Sequence, residues 1–377
     1  MKIKIVEIND LHFGIGDTER EKEELKMFLD FIRSHDIDLL EFNGDFFDHK
    51  LNMFESAALT GMNFFNEVVS IAIEKNIIIR MIEGTYSHDR FQPKIFDNFI
   101  PEDNGKKLIN YKFFETVGEE DLLGLKILYI PEEYPMNHDE YYKEYKNKKY
   151  DLIFCHGTWD FINFGGMIDN NRNDINTAPV FKYDEWSSAL EHGVAICGHI
   201  HGRHVFKNKN GTKIIYPGAF TSWSFDQISK RGFLYLEFDT DTKEFHYQFI
   251  NNDKAPTYAN LDVKDLGLDL EKCSIEDIKL KINEQKAKVQ NIKINLDSLP
   301  LDKKNIFKNL YKDSSNVKIE ISPEKFLINK EADDKFAKYS YIIDDKLTQE
   351  QVIKKFIKEE MNKDLEESKI KSIITEE

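Results

Sequence analysis

Cysteine is scarce: Cys155, Cys197 and Cys273 are the only three in 377 residues. Three cannot build a disulfide framework, and they fit a reducing compartment. Nine prolines and eighteen glycines exclude a proline- or glycine-rich low-complexity chain. No run approaches the roughly 18 consecutive apolar residues of a membrane span. The opening Met1-Lys2-Ile3-Lys4-Ile5-Val6-Glu7 places an acid where a secretory signal needs its apolar core. The expectation is a soluble, cytoplasmic protein with no membrane association, in the host cytoplasm if the chain is phage-encoded.

Positive charge is in deficit as well. Lys and Arg number 52 against 68 Asp and Glu, a net charge of −16. A generally basic nucleic-acid coat is thereby excluded. A nuclease is not, because bound divalent cations reverse the local field where chemistry happens. The deficit is uneven: residues 1–260 carry 29 basic and 43 acidic side chains, and 261–377 carry 23 and 25. Within 278–318 ten lysines face four acids. Lys286, Lys288, Lys303 and Lys304 are therefore candidate phosphate-backbone contacts, against the plainer reading of a solvated helix face. Aromatics are plentiful at 13%, with 29 Phe, so the chain can bury a core and is not disordered wholesale.

The first 200 residues alternate short apolar runs with longer amphipathic ones. Strands are expected at Ile3–Ile8, Ile37–Phe42, Ile77–Ile82, Asp151–Cys155 and Val194–Cys197, and helices over 19–34 and within 54–75. This βαβ pattern implies a largely parallel α/β core with helices outside. Beyond 203 the pattern becomes two hairpins, 204–216 and 233–250, followed by a linker containing Pro256. A Lys-rich helix is expected over 274–288 among short strands, and an amphipathic helix at about 347–372.

Each expected strand of the first half ends in Asp, His or Asn followed by a loop. Asp10-Leu11-His12, Asn43-Gly44-Asp45, Gly84-Thr85-Tyr86-Ser87-His88-Asp89, His156-Gly157 and Gly198-His199-Ile200-His201-Gly202 follow the five runs in order. Ligand sites in open α/β sheets lie outside the carboxyl ends of strands. Asp10, His12, Asp45, His88, His156, His199 and His201 are thus expected in one crevice. Imidazole and carboxylate together suit Mn, Fe or Zn, and a carboxylate in the Gly-Asp turn can bridge two ions. Any one of these elements arises readily by chance; five in order do not.

At these residues the chain resembles the calcineurin-like metallophosphoesterase superfamily, with its ordered Asp-x-His, Gly-Asp, Gly-Asn-His, His-Gly and Gly-His-x-His. Within it, Gly198-His199-Ile200-His201, the later Tyr216-Pro217-Gly218-Ala219 and the long charged tail look most like the SbcD-like nucleases of double-strand-break repair and phage recombination. The resemblance implies a four-layer αββα sandwich over 1–255. It implies a small α+β capping, DNA-binding domain over 256–330 and a charged helical tail over 331–377. One metal would take Asp10, His12, His201 and the bridging Asp45; the second would share Asp45 and add His156 and His199. The family's asparagine ligand has no clear equivalent here, and Ser87 stands nearest to it. His88 would stabilise the phosphate and protonate the leaving oxygen, with Asp89 holding its ring.

The implied activity is that of a two-metal-dependent DNA nuclease, manganese being favoured over Mg, Fe or Zn. It would work as a homodimer, with 54–75 contributing, and with an SMC-like, SbcC-like coiled-coil ATPase that docks the C-terminal helix. Asp48, His49, Arg90, Arg203 and His204 are candidate substrate contacts at the rim, and Trp159 and Trp223 candidate stacking residues. The rivals are a metallophosphatase or small phosphodiesterase, and a non-catalytic binding module on the same scaffold.

Overall fold

The computed structural model describes residues 1–16, 18–161, 180–225, 228–322 and 349–361. The expected alternation is present. Strand β1 (Lys2–Ile8) leads into helix α1 (Thr18–Ser34), β2 (Leu39–Asn43) into α2 (Ser56–Lys75), and β3 (Ile78–Ile82) follows. Along β1, Ile3 and Ile5 point to one face and Val6 and Ile8 to the other, as the two-residue period of a strand requires. Both faces are buried, so these strands read as near-continuous apolar runs.

Two six-stranded mixed sheets result. The first runs β12-β11-β1-β2-β3-β4, where β4 is Tyr111–Phe114, β11 Gly232–Asp239 and β12 Phe245–Asn251. Its central strands β1 to β4 are parallel, and the 233–250 hairpin closes one edge antiparallel to β1. The second sheet runs β9-β10-β8-β7-β6-β5, with β5 Gly118–Leu122, β6 Leu125–Ile130, β7 Leu152–His156, β8 Val194–Gly198, β9 His204–Asn208 and β10 Gly211–Tyr216. Strand β6, absent from the sequence reading, pairs parallel to β7 and so adds another carboxyl end to the same rim.

The sheets share one apolar layer. Ile3, Ile5, Leu39, Phe114 and Leu234 of the first interleave with Ile127, Leu152, Phe154, Ile196 and Ile215 of the second. The outer face of the first sheet is covered by α1 and α2 through Phe28, Ile32, Phe64, Phe65 and Val68. That of the second is covered by Tyr142, Trp159 and Trp186 with the short helices around them. The class is mixed α/β with parallel-rich sheets. Helix α2, expected at a dimer face, spends its apolar side on this core; Leu59 near its start is about half exposed.

A separate core lies over 258–321. Strands β13 (Tyr258–Asp262), β14 (Asn291–Asn295) and β15 (Val317–Glu320) are all parallel and alternate with α3 (Ile275–Lys286) and α4 (Leu301–Leu310). The expected α+β unit is therefore a βαβαβ unit, closed by Val263, Ile278, Ile294 and Phe307. Two of its lysines are structural rather than free for a phosphate backbone. Lys303 Nζ donates to the carbonyls of Leu270 and Cys273 at 2.8 Å each, and the Lys286 ammonium lies over the Tyr311 ring. Helix α5 (Gln349–Met361) falls within the expected C-terminal helix; 323–348 and 362–377 lie outside the described residues. No helix among the described residues is long and apolar enough to cross a membrane.

A polar row crosses the shared apolar layer. Glu7, Glu41 and Arg80 are register partners on β1, β2 and β3, each at most 2% exposed. Arg80 reaches across to the second sheet, its Nε 2.6 Å from Glu120 Oε1, and its guanidinium also donates to the carbonyls of Ile79 and Asn110. Burial pushes the Glu7 and Glu41 carboxyls well above the ordinary range. Removing one partner of a buried ion pair strands the other. Arg80→Ala should therefore destabilise the fold by about 3 kcal/mol in urea denaturation; an unchanged midpoint would show the row contributes nothing.

Candidate metal centre

Six parallel strand ends meet at one rim. Asp10 and His12 follow β1, Asp45 follows β2, and Thr85 follows β3. Glu132 follows β6, His156 ends β7, and His199 and His201 follow β8. The loops are lashed to one another rather than to solvent. Asp10 N donates to Gly44 O at 3.1 Å and His12 N to Asp45 O at 3.0 Å. His199 N donates to Asp10 Oδ1 at 3.0 Å, and Thr85 N to Asp45 Oδ1 at 2.6 Å. The turns are tight enough to require glycine: a Cβ at Gly44 would enter the His156 ring, and one at Gly84 would strike Asp45.

Backbone strain gathers at the same place. Asp10, His12, Asp45 and His199 hold left-handed φ values of 48°, 48°, 51° and 81°. Each costs about 1–2 kcal/mol in an L-residue, and strain of this kind is kept where a side chain must be aimed.

The side chains form overlapping donor groups. Asp10, His12 and His201 make one, Asp45, His156 and His199 a second, and His88 joins His12 and Asp45 in a third. Asp45 Oδ2 lies 3.5 Å from His12 Nε2 and 3.2 Å from His156 Nε2. His12 Nε2 is 3.2 Å from His201 Nε2. Ligand atoms bonded at about 2.1 Å to one cation sit roughly 3.0–3.5 Å apart in octahedral or tetrahedral arrangement, so these separations fit divalent ions. The supporting contacts also fit. His156 Nδ1 donates to Asn43 O at 2.8 Å, which turns Nε2 to the site, and Asp48 Oδ1 backs His12 Nδ1 at 3.2 Å.

The electrostatics call for positive charge. Burial alone would raise the Asp45 carboxyl, but the His156, His12 and His88 imidazoles overcome it and hold the group far below the ordinary range. Burial likewise disfavours charge on His156 and His12. The surrounding carboxylates, Asp45 and Asp10 among them, win and raise both. Burial takes His201 down to about 4, leaving a neutral imidazole of the kind a metal needs.

Several expected roles are corrected. Ser87 is exposed, and Thr85 occupies the inner position: its Oγ1 is 3.4 Å from Asp45 Oδ2, 3.4 Å from His156 Nε2 and 3.3 Å from His199 Nδ1. Asp89 does not hold His88; it is fully buried and accepts from the Phe47 and Gly84 amides. The His88 ring is held by the Asp48 carbonyl through Nδ1. Asp48 thus backs two imidazoles instead of facing substrate, and it also receives the exposed His49 ring.

At the rim, Arg203 is spent inward on Pro217 O, Asn251 Oδ1 and Arg231 O. Trp159 is fully buried and cannot stack on a base. Trp223 packs its ring against His12 and His201 at 4.8 and 5.1 Å. Arg90 and His204 are exposed. Glu132, missed by the sequence reading, lies 3.2 Å from His199 Nδ1 with its side chain 1% exposed. The apolar run before it was the available signal, but Pro131-Glu132 is not an Asp or His ending.

No family model and no curated protein matches the chain. Among solved structures, the glutamine-dependent NAD+ synthetase from Acinetobacter baumannii in complex with adenosine diphosphate is similar over 94% of this chain and 70% of that chain. Its identity is 10% and its TM-score 0.34. These findings overturn the family reading of the sequence: the chain is not assigned to the calcineurin-like metallophosphoesterases or to their SbcD-like branch.

Because Asp45 Oδ2 lies between His12 of the first donor group and His156 of the second, Asp45→Asn should weaken both ions together, whereas His201→Ala should weaken one. Manganese titration calorimetry on the folded variants checks this; two ions held by Asp45→Asn with unchanged affinity would refute the sharing.

Proposed function

We propose that this chain is a divalent-metal-dependent phosphodiester hydrolase acting on DNA. The observation that carries the reading is the set of donor groups that meet at His12 and Asp45, with His88 at their edge and 33% exposed. Two divalent ions there would supply Lewis-acid activation of water and neutralise charge on the phosphate. Manganese fits the mixed imidazole and carboxylate set.

The chain's own residues do the rest. Asp45 sets the spacing of the two positions. The Asp48 carbonyl accepts a hydrogen bond from His88 Nδ1–H, which leaves Nε2 for a substrate oxygen; as the imidazolium, His88 would give its Nε2 proton to that oxygen. The loop that carries His88 is anchored from below by two buried carboxylates, Asp89 on Gly84 N and Glu83 on Phe91 N at 2.6 Å.

Two features favour a diester in a polynucleotide. Arg203 and Arg231, behind His201, are turned inward, and Arg231 donates to Ser222 and to His201 O. A phosphomonoester dianion would ask more of such cations than a diester monoanion does. On the His88 loop, Tyr86 and Phe91 are 55% and 46% exposed with their rings 5.9 Å apart, and Arg90, next to Phe91 in sequence, is exposed. Bases stack on such rings without sequence preference.

Linear DNA with manganese should be degraded. His88→Ala should lower kcat by about 10²–10⁴-fold while leaving ion binding intact. Turnover of a phosphomonoester with none of DNA or bis(p-nitrophenyl) phosphate would replace this reading with a phosphatase. No turnover of any ester by the metal-loaded protein would replace it with a binding module.

A further inference from the structure

We infer that Glu132 is a direct ligand of the second divalent ion, so that this position takes two carboxylates and two imidazoles, with Thr85 beside them; the inference rests on the two-ion reading above. Glu132 Oε2 lies 3.2 Å from His199 Nδ1 and 3.1 Å from Thr85 Oγ1. Thr85 Oγ1 in turn lies within 3.4 Å of Asp45 Oδ2 and His156 Nε2. Five donor atoms from five strand ends are thus linked by separations of 3.1–3.4 Å, four of them made by Thr85 Oγ1 and one joining Glu132 directly to His199; Asp45, His156 and His199 form the inner donor group, and Glu132 adjoins it through His199 and Thr85.

The second observation is the burial of the carboxylate. Its side chain is 1% exposed, and the side chain against its Oε2 is that of His199, itself a candidate ligand. A buried carboxylate needs a paired charge, and a divalent ion between Glu132, His156 and His199 provides one. The other oxygen is occupied, since the Tyr134 hydroxyl donates to Oε1, which turns Oε2 toward the cluster. Thr85 offers only a neutral hydroxyl, so Glu132 supplies the anionic oxygen. Two divalent ions bring four positive charges, of which Asp10, Asp45 and Glu132 together balance three.

The test uses the full chain and manganese alone. In a manganese-soaked crystal of the wild-type protein, an anomalous peak is expected within about 2.5 Å of Glu132 Oε2. Calorimetry should find two ions on the wild type. On Glu132→Gln it should find one retained and the other weakened tenfold or more, with loss of the exchange-coupled dimanganese signal in electron paramagnetic resonance. Two ions bound with the Glu132 carboxylate more than about 3.5 Å from both would overturn the inference and leave the two-ion reading standing, making Glu132 only a positioning partner of His199. Unchanged affinity and coupling in Glu132→Gln would do the same. A wild-type protein that binds no manganese would overturn the two-ion reading itself, and this inference with it.

Discussion

Everything at the rim depends on keeping the Asp45 carboxylate charged while it is buried. Its side chain is 2% exposed, and desolvation of a lone carboxylate would cost several kcal/mol. The fold meets that cost with imidazoles on either side, His12 and His156, and with the Thr85 amide on the other oxygen. This arrangement dictates the local backbone. The turns must bring three loops within hydrogen-bonding reach of one residue, so Gly44 and Gly84 carry no side chain and four non-glycine residues accept left-handed φ. A site assembled only for stability would relax those angles; one assembled to hold a charge keeps them.

The loop after β3 shows the same logic one layer down. It is longer than a minimal turn and displays Tyr86, Ser87 and Arg90 to solvent. Its ends are nonetheless fixed by buried carboxylates: Asp89 grips the Gly84 and Phe47 amides and Glu83 grips Phe91 N. Burial pushes Glu83 up to about 7, and it pushes Asp89 well up, with Glu83 adding to the effect. Two acids so close share the task of holding a loop while repelling one another, which favours a proton on one of them. The loop is thus tied down at its roots and exposed at its tip.

Much of the site was readable from strand-end residues, because a parallel sheet leaves no choice about where the carboxyl ends of its strands go. Asp10, His12, Asp45, His156, His199 and His201 sit directly at those ends, and the structure brings them together. Reading failed where a side chain's direction depends on the path of a loop. Ser87 and Thr85 are two residues apart, yet only Thr85 turns inward, because its amide is captured by Asp45 Oδ1. Asp89 looked like a partner for His88 from adjacency alone, but backbone amides claim both its oxygens. Glu132 was missed with β6 itself. Arg203 and Trp159 looked like rim residues, yet one is consumed by carbonyls and the other enters the core. The fold class was visible in the alternation of apolar runs. The family assignment was not secured by those same residues, since a set of strand-end ligands is a property of sheet geometry and chemistry that different chains can share.

The polar row between the sheets bears on how the strand ends of the site are kept in register. Glu7, Glu41 and Arg80 lie side by side in register on β1, β2 and β3, and Arg80 is tied to Glu120 on the opposite sheet. A slip of one residue in any of these strands would swing its polar side chain out of the row and onto the helix-covered apolar face. It would also turn Asp10, Asp45 or Thr85, three to five residues downstream, away from the shared centre. Apolar contacts alone discriminate weakly between neighbouring registers, because apolar residues flank each polar position: Val6 and Ile8, Leu40 and Phe42, Ile79 and Met81. The Arg80–Glu120 pair converts a slip of β3 into a stranded charge, so a residue that looks ill suited to the core helps set the alignment the strand ends require.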